Sequence, residues 1–293
     1  MTDLALALGG GGSRGFAHIG VLSQLEKRGF HVKALAGTSA GGIVACCFAA
    51  GYTPKELEAL FAGLDQSKFF SLSNEGPSLL GLSRARKILD GILGTKCFSD
   101  LQVPCAVVSV DIKTGEEIIH KEGRLVDALI ATIAVPGVFP PMMMDEHELV
   151  DGGVLNPVPV SVARSLAPRL PVVGVVLSQS MKRASEIHQI ALPIKIPVPI
   201  VERITHMRVT QALAVFMQAV DIGQRKMTEL RLIVDQPDFI IRPEVDDIGL
   251  LDRVDARDVI LRGSGAVEKV YSELKRAVTW PHRKRRLNFP GIG

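Results

Sequence analysis

The chain begins with a unit in which an apolar run, a glycine-rich turn and an amphipathic segment follow one another. Leu4 to Leu8 is apolar throughout, as in a buried strand, and Phe16 to Arg28 has apolar residues at a spacing near 3.6, as in a helix. Val32 to Ala36 and Ile43 to Ala50 repeat the strand and the helix. Strands that alternate with helices predict a mainly parallel sheet covered by helices on both faces.

The alternation of strands and helices continues along the chain. Further strands are predicted at Cys105 to Val110, Glu116 to His120, Leu149 to Asp151, Val172 to Leu177 and Phe239 to Ile241. Further helices are predicted at Thr53 to Leu64, Arg84 to Leu93, Leu125 to Ala134, Val158 to Leu166, Met207 to Leu232 and Ala256 to Ala277. We expect one domain over residues 1–293, with a motif-bearing core at about 4–177 and a C-terminal helical part at about 203–280.

For three apolar segments, the sequence does not determine whether they are buried in the core or exposed. The helix from Met207 to Leu232 has a stripe that we expect to face the core, formed by Val209, Leu213, Phe216, Met217 and Val220. Three prolines interrupt Ile187 to Val201, which excludes a regular helix there and leaves either an ordered flap or an exposed lid that meets acyl chains or a membrane surface. Val135 to Met144 ends in three consecutive methionines, which fill the core or line a pocket for a flexible chain.

Composition and charge narrow the class of protein. Apolar residues make up 47% of the chain and charged residues 22%, as in a globular protein. The net charge of +3 is too small to indicate a nucleic-acid partner, and the basic cluster from Pro281 to Arg286 is either a solvated tail or a contact with an anionic surface. The four cysteines form no Cys-x-x-Cys pair, which favours free thiols in a reducing compartment. The first residues, MTDLALALGGGG, lack a basic leading segment and reach glycine too early for a secretory signal, so we expect a cytoplasmic protein, with peripheral contact at the inner membrane surface as an extension. No apolar run reaches the roughly 20 residues that cross a bilayer, so we expect no membrane span.

The turn after the second predicted strand contains the first candidate for chemistry. Gly37-Thr-Ser-Ala-Gly41 has the G-x-S-x-G spacing, in which Gly37 and Gly41 let strand and helix approach while a strained backbone exposes the hydroxyl of Ser39. A serine hydroxyl is a weak nucleophile and needs a nearby base. Ser39 is therefore a candidate nucleophile, and the alternative is a tight turn with a small polar residue.

A second glycine-rich loop, Gly9 to Gly15, also follows a strand and opens a helix. Its amides and the helix N-terminus could gather negative charge, which suits an oxyanion hole for acyl transfer, and Arg14 could add a positive charge or hold the loop in place. A Walker phosphate loop is excluded because Phe16 follows where Lys and Ser or Thr are required. A dinucleotide-binding loop fits poorly because a second glycine turn replaces the acidic residue after the next strand.

The histidines do not supply an obvious base for Ser39. None of the seven sits in a small-residue turn after a strand, as a triad histidine would. His18 lies within the first predicted helix, which favours a packing or supporting role. His147 lies in the acidic segment Asp145 to Glu148, which lacks helical metal-ligand spacing and predicts a hairpin turn.

Asp151 is a better candidate for the base. It ends a predicted strand and precedes Gly152 and Gly153, which permit close approach of another group. Active sites of open α/β sheets gather at such a sheet edge. The alternative is a turn aspartate that caps the residues from Val154 onward.

Together, the three motifs resemble the patatin-like phospholipases. GGGGSRG near the N-terminus, GTSAG about one strand-helix unit later and DGG after a long middle section match that family in order, and the chain looks like its small bacterial members related to neuropathy target esterase. The resemblance implies a three-layer α/β/α sandwich and a Ser-Asp dyad without histidine, with Ser39 as nucleophile and Asp151 as its base. It assigns the oxyanion region to Gly10, Gly11, Gly12 and Arg14.

The resemblance predicts a serine acyl hydrolase that cleaves fatty-acyl esters of lipids through an acyl-enzyme, without a metal or another cofactor. Since an ordinary aspartate has a pKa of about 3.9 and is a poor base near neutral pH, we expect burial to raise the Asp151 pKa. An acyltransferase with the same serine is disfavoured because no histidine can be placed beside it. A binding or regulatory module that keeps the fold without turnover is the second alternative.

Overall fold

The structure is a computed structural model that describes residues 2–63, 82–178 and 200–279, and only the backbone of residues 200–214 and of Met217. Its strands are β1 (Thr2–Leu8), β2 (Phe30–Thr38), β3 (Cys105–Asp111), β4 (Glu117–His120), β5 (Met142–Met144), β6 (His147–Asp151), β7 (Val172–Val175) and β8 (Phe239–Ile241). Its helices are α1 (Ala17–Lys27), α2 (Ala40–Ala49), α3 (Pro54–Ala62), α4 (Ser83–Leu93), α5 (Leu125–Thr132), α6 (Val160–Leu166), α7 (Ile200–Asp235) and α8 (Ala256–Thr279). Each predicted strand and helix is confirmed, with bounds that shift by a few residues.

The strands form one mixed sheet. Five of them, in the order β8-β7-β1-β2-β3, are parallel, as the alternation of strands and helices predicts. β4 and β6 pair antiparallel with β3, and β5 and β6 form a hairpin whose turn lies at Asp145 and Glu146. The hairpin predicted around His147 is therefore confirmed, and the short strand β5 is an addition to the predicted set.

The central strands place side chains of different size on the two faces of the sheet. Leu4, Leu6 and Leu8 of β1 enter the larger core, which includes residues of α1, α2, α3, α4, α5 and α8. Ala5 and Ala7 enter a smaller core with residues of α6. Because successive residues of a strand face opposite sides, the Leu/Ala alternation supports helices on both faces. The predicted three-layer α/β/α arrangement is confirmed.

The C-terminal helix packs closely on the first helix. A Cβ on Gly20 of α1 would lie 1.8 Å from the Ile260 carbonyl oxygen, and a Cβ on Gly263 of α8 would lie 2.0 Å from the Ala17 carbonyl oxygen. Both positions therefore require glycine for the observed helix spacing. This contact brings the segment 248–252, just before α8, onto the glycine loop.

Two predictions about apolar segments are correct only in part. Phe216 of α7 is 44% exposed and its ring rests on Gly137, whereas the apolar stripe predicts a core position. The structure does not describe the side chains of three further members of the stripe, Val209, Leu213 and Met217. The three methionines form the edge strand β5, in which Met142 packs against the larger core, Met143 is 60% exposed and none of the three lines the pockets beside Ser39.

Two other segments fall wholly or largely outside the described residues. Of Ile187 to Val201, only Ile200 and Val201 are described, and they begin α7 directly after the third proline. The basic cluster from Pro281 to Arg286 lies outside the described residues as well. Among the described helices, none combines the length and the apolar character needed to span a bilayer.

Candidate active site

Ser39 lies at the sharp turn between β2 and α2. Its φ of 54° and ψ of −125° belong to a region that residues other than glycine rarely adopt. A Cβ on Gly37 would lie 2.5 Å from the Gly41 carbonyl oxygen, and a Cβ on Gly41 would lie 2.2 Å from the Leu8 carbonyl oxygen. Both glycines are therefore needed for the approach of the neighbouring backbone, and they leave Ser39 in a strained, presented position.

Thr132 at the end of α5 supports this turn. Its hydroxyl donates to the Val108 carbonyl oxygen at 2.5 Å and accepts from the Ser39 amide at 2.9 Å. The Thr132 side chain is fully buried, so both hydrogen bonds are shielded from water. No motif in the sequence marks this residue, since a threonine at the end of an apolar helix is common.

The register of the sheet brings Asp151 to Ser39. β2 ends with Thr38 opposite Val108 of β3, and β6 ends with Asp151 opposite Ser109. β4 pairs with one edge of β3 at these positions. β2 and β6 therefore both pair with the opposite edge of β3, where their ends meet. The Asp151 carboxyl consequently lies beside the Ser39 side chain, close enough for Ser39 to influence its pKa.

Burial sets the electrostatics of Asp151. The residue is 1% exposed, and burial raises its pKa from 3.8 to about 6, against the opposing effect of the Ser39 side chain and of a hydrogen bond from the Gly153 amide. The Gly153 amide donates to Oδ1 at 2.7 Å, so the turn-capping interpretation of Asp151 is also correct. Gly152 is required because a Cβ there would lie 2.3 Å from the Val108 carbonyl oxygen.

The glycine loop offers fewer free amides than the sequence predicts. The Gly10 amide donates to the Pro157 carbonyl oxygen at 2.9 Å, so the expectation that it serves an oxyanion is wrong. Within the described part of the chain, the Gly11 and Gly12 amides have no protein acceptor. The amide of Ala40, the first residue of α2, is a third donor without an intrahelical partner.

Arg14 holds the loop in place, which is the second of its two predicted roles. The Arg14 side chain is buried, and its Nε donates to the Ile248 carbonyl oxygen at 2.6 Å. The Ser13 amide donates to the Leu250 carbonyl oxygen at 3.0 Å and extends the same contact. Burial lowers the Arg14 pKa, and the nearby Asp221 carboxylate opposes this effect.

His18 fixes the loop from the side of α1. The ring is fully buried, and Nε2 lies 2.7 Å from the Gly9 carbonyl oxygen. Because a carbonyl can only accept, Nε2 is the protonated nitrogen, and burial lowers the His18 pKa to about 4 so that the ring is neutral. The Gly9–Gly10 peptide is thus held at both ends, by His18 and by Pro157. This agrees with the supporting role predicted for His18.

Two pockets meet at Ser39. An apolar pocket of about 150 Å³ extends from it and is lined by Phe16, Val44, Phe61, Ala85, Ile133 and Phe139, among other residues. An engineered apolar cavity of about this volume holds benzene, so the pocket has room for roughly six carbons. The second pocket has a volume of about 20 Å³ and is called the polar pocket because charged and polar residues contribute to its wall, namely Arg14, Asp151, Asp221, Gln224 and Thr228.

The pockets are only partly built from the residues that the sequence singles out. From the segment Val135 to Met144, Val135 and Phe139 line the apolar pocket. Gln224 and Thr228 of α7 and Leu250 of the segment before α8 were not predicted. The only sequence signal for Gln224 and Thr228 is that they are polar and one helical turn apart on a helix.

Comparisons with known proteins agree with this architecture. The sequence model of the family described as patatin-like phospholipase matches residues 6–164. An uncharacterized NTE family protein of Mycobacterium tuberculosis is 38% identical over 161 residues, which cover 54% of this chain and 44% of that protein. Patatin-like phospholipase domain-containing protein 6 of Mus musculus is 31% identical over 176 residues, which cover 57% of this chain and 13% of that protein. The match therefore spans less than half of the length of either relative.

A solved structure supports the fold over nearly the whole chain. VipD from Legionella pneumophila superposes with a TM-score of 0.61 at 15% sequence identity, and the alignment covers 92% of this chain and 67% of VipD. Because this alignment extends past residue 164, the elements after the family match belong to a shared fold as well.

Proposed function

Since this chain belongs to the patatin-like phospholipase family, we propose that it is a serine acyl hydrolase that cleaves fatty-acyl esters of lipids. The observation that carries the proposal is the position of Ser39, which lies beside the buried Asp151 at the junction of an apolar and a polar pocket. An ester of a fatty acid has the same division into an apolar acyl chain and a polar alcohol. The first carbons of the acyl chain occupy the apolar pocket, and the ester carbonyl lies beside Ser39 Oγ.

The first half of the reaction forms an acyl-enzyme. Ser39 Oγ attacks the ester carbonyl carbon while its proton passes to the Asp151 carboxylate. The negative charge that develops on the carbonyl oxygen is stabilised by the amides of Gly11, Gly12 and Ala40. The carbon–oxygen bond to the alcohol then breaks, and the alcohol leaves with the proton from Asp151. Ser39 remains esterified until water cleaves the acyl group.

The raised pKa of Asp151 suits this role. With a pKa of about 6, the carboxylate is mostly ionised near neutral pH and still binds a proton more strongly than an exposed aspartate does. Activity is expected to rise with pH through about 6 and to level off above that value, because only the ionised carboxylate accepts the Ser39 proton.

A lipid surface is the proposed source of the substrate. The outer side of α7 has exposed apolar residues at Val215 (64%), Ile222 (59%) and Ile233 (70%), and Phe216 of the same helix rests on the turn that leads to the apolar pocket. Such exposed apolar groups favour contact with acyl chains at a membrane surface. Cosedimentation with phosphatidylcholine vesicles that weakens in Ile222→Asp supports this contact, and equal cosedimentation of the two proteins contradicts it.

The proposed activity is tested by measuring fatty-acid release from acyl esters and from lysophospholipid by mass spectrometry. Wild-type protein is expected to release fatty acid, and Ser39→Ala and Asp151→Asn are expected to lose this activity. Ser272→Ala, at an exposed position of α8, is the matched control and should behave as wild type. If folded wild-type protein releases no fatty acid and Ser39 takes no fluorophosphonate label, the chain is a binding module and the proposal fails.

A further inference from the structure

The polar pocket beside Ser39 has the size and the lining of a site for one water. Its volume is about 20 Å³, and a cavity of about 10–15 Å³ on this measure is enough for one water molecule. Its wall includes the Asp151 carboxyl, the Gln224 amide and the backbone of the glycine loop. A bound water needs two to four polar partners, and these groups supply them.

Gln224 comes close to Asp151 because the residue between them is glycine. A Cβ on Gly153 would lie 2.7 Å from Gln224 Nε2 and 3.0 Å from Asp151 Oδ1. Gln224 Nε2 and Asp151 Oδ1 therefore both lie beside Gly153, close enough to each other for a single water to bridge them. A larger residue at position 153 would displace the Gln224 amide from this place.

Two neighbours of Gln224 on α7, Asp221 and Thr228, also line the pocket. The Thr228 hydroxyl is engaged within the helix, because it donates to the backbone carbonyl oxygen of Gln224 at 2.7 Å, and Thr228 is 1% exposed. Asp221, one turn before Gln224, forms an ion pair with Arg225 and lies near Arg14. Its negative charge is thus balanced by two guanidinium groups, which leaves Asp151 as the carboxylate that faces Ser39.

We propose that this pocket binds the water that hydrolyses the acyl-enzyme and that Gln224 holds this water against Asp151. The inference rests on the proposed acyl hydrolase function. The water oxygen attacks the acyl carbonyl carbon, and one of its protons passes to the Asp151 carboxylate. The bond between this carbon and Ser39 Oγ breaks, the Asp151 proton returns to Oγ, and the fatty acid leaves.

Gln224 favours water as the acceptor of the acyl group. A water that is already held against Asp151 reacts ahead of an alcohol that arrives after the first product has left. Gln224 therefore favours hydrolysis over acyl transfer, although the serine and its base could serve either reaction.

The experiment measures how the acyl-enzyme divides its acyl group between water and an added alcohol. Protein is incubated with p-nitrophenyl hexanoate in the presence of methanol or glycerol, and hexanoic acid and the hexanoyl esters are quantified. This ratio depends only on the deacylation step, so it is informative even when acylation limits the rate. The variants are Gln224→Met, which keeps the size of the side chain but removes the amide, and Gln224→Ala, which opens the pocket. Lys226→Ala, on the exposed side of the same helix, is the control.

We expect Gln224→Met to lower the rate of hydrolysis of the acyl-enzyme about tenfold, as the loss of one hydrogen bond to a reacting group allows, while Ser39 is labelled by a fluorophosphonate as in wild type. Gln224→Ala is expected to raise the ratio of glycerol ester to acid severalfold, whereas Lys226→Ala leaves all values unchanged. If both Gln224 variants divide the acyl group as wild type does, Gln224 does not hold the water and the inference is wrong. Absence of Ser39 labelling and of ester turnover in wild type would instead reject the proposed function itself.

Discussion

The two pockets that meet at Ser39 differ in size, in polarity and in the part of the chain that builds them. The apolar pocket of about 150 Å³ is lined mainly by residues within the family match at 6–164. The polar pocket of about 20 Å³ is completed by α7, which lies outside that match. The difference indicates that Ser39 and the apolar pocket belong to the part of the chain that the family shares. The polar pocket depends in addition on α7, which none of the three motifs includes.

The largest effect is expected from removing the Asp151 carboxylate beside Ser39. Asp151→Asn keeps the shape of the side chain but cannot accept the Ser39 proton, so ester turnover should fall by roughly 10²- to 10⁴-fold. The measurement is the steady-state rate with p-nitrophenyl hexanoate. The control for loss of a negative charge is Asp238→Asn. Asp238 pairs with Arg164 and lies near β8, at the opposite end of the sheet order from β6. Retention of full activity in Asp151→Asn would contradict the assignment of the base.

A substitution in the glycine loop should come next in size. A Cβ on Gly12 would lie 2.0 Å from the Leu250 carbonyl oxygen, and Gly12 has a φ of 54°, so Gly12→Ala must displace the loop. Loss of one oxyanion donor lowers turnover by roughly 10²- to 10³-fold. Gly29→Ala is the matched control because Gly29 also has a positive φ, 79°, but has no atom within 4 Å of a new Cβ. If the two variants lose activity equally, backbone strain and not the oxyanion contact explains the loss.

Filling the apolar pocket should change the preference for acyl length. Ala85 is 1% exposed on α4 and lines this pocket, so the larger side chain of Ala85→Leu takes up part of its volume. Hydrolysis of the hexanoyl ester is expected to fall about tenfold relative to the acetyl ester. Arg84→Leu places the same side chain at the exposed neighbouring position and should leave the ratio of the two rates unchanged. An unchanged ratio in Ala85→Leu would place the acyl chain elsewhere.

The smallest effect is expected in stability. The pKa of Asp151 is raised from 3.8 to about 6 on folding, so its contribution to stability is fully present below 3.8 and is lost as pH rises through about 6. Each pKa unit corresponds to about 1.4 kcal/mol, so the ionised carboxylate lowers the free energy of unfolding by about 3 kcal/mol relative to the protonated form. Asp151→Asn is therefore expected to be more stable than wild type at about pH 8 and to lose this advantage near pH 4, as measured by urea unfolding. A constant difference across this range would contradict the buried, titrating carboxylate.

The elements that local patterns specify could be predicted from the sequence. The alternation of apolar runs and glycine turns identified the strands, and the spacing in GTSAG and DGG identified Ser39 and Asp151 as neighbours of sheet ends. Close approaches of backbone explain why Gly37, Gly41 and Gly152 are glycine. These requirements are local to a turn, which is why a short motif records them.

The remaining part of the site depends on tertiary contacts that no local pattern records. The Gly10 amide is engaged by Pro157, and Thr132 reaches the Ser39 amide across 93 positions of sequence. Gln224 is an ordinary polar residue of a long helix until the fold brings it to Gly153. The exposure of the Phe216 ring also depends on tertiary contacts. The helical period predicts that α7 has an apolar stripe, but it does not predict which part of the protein, if any, covers that stripe.

The central claim, that Asp151 is the base for Ser39, is tested most directly by the rate at which a fluorophosphonate labels Ser39 as a function of pH. Intact mass and peptide mapping follow the label in wild type and in Asp151→Asn. The account predicts that the wild-type rate rises with an apparent pKa of about 6 and that Asp151→Asn is labelled at least roughly 10²-fold more slowly at every pH. A labelling rate that is independent of pH in this range, or equal in the two proteins, would contradict it.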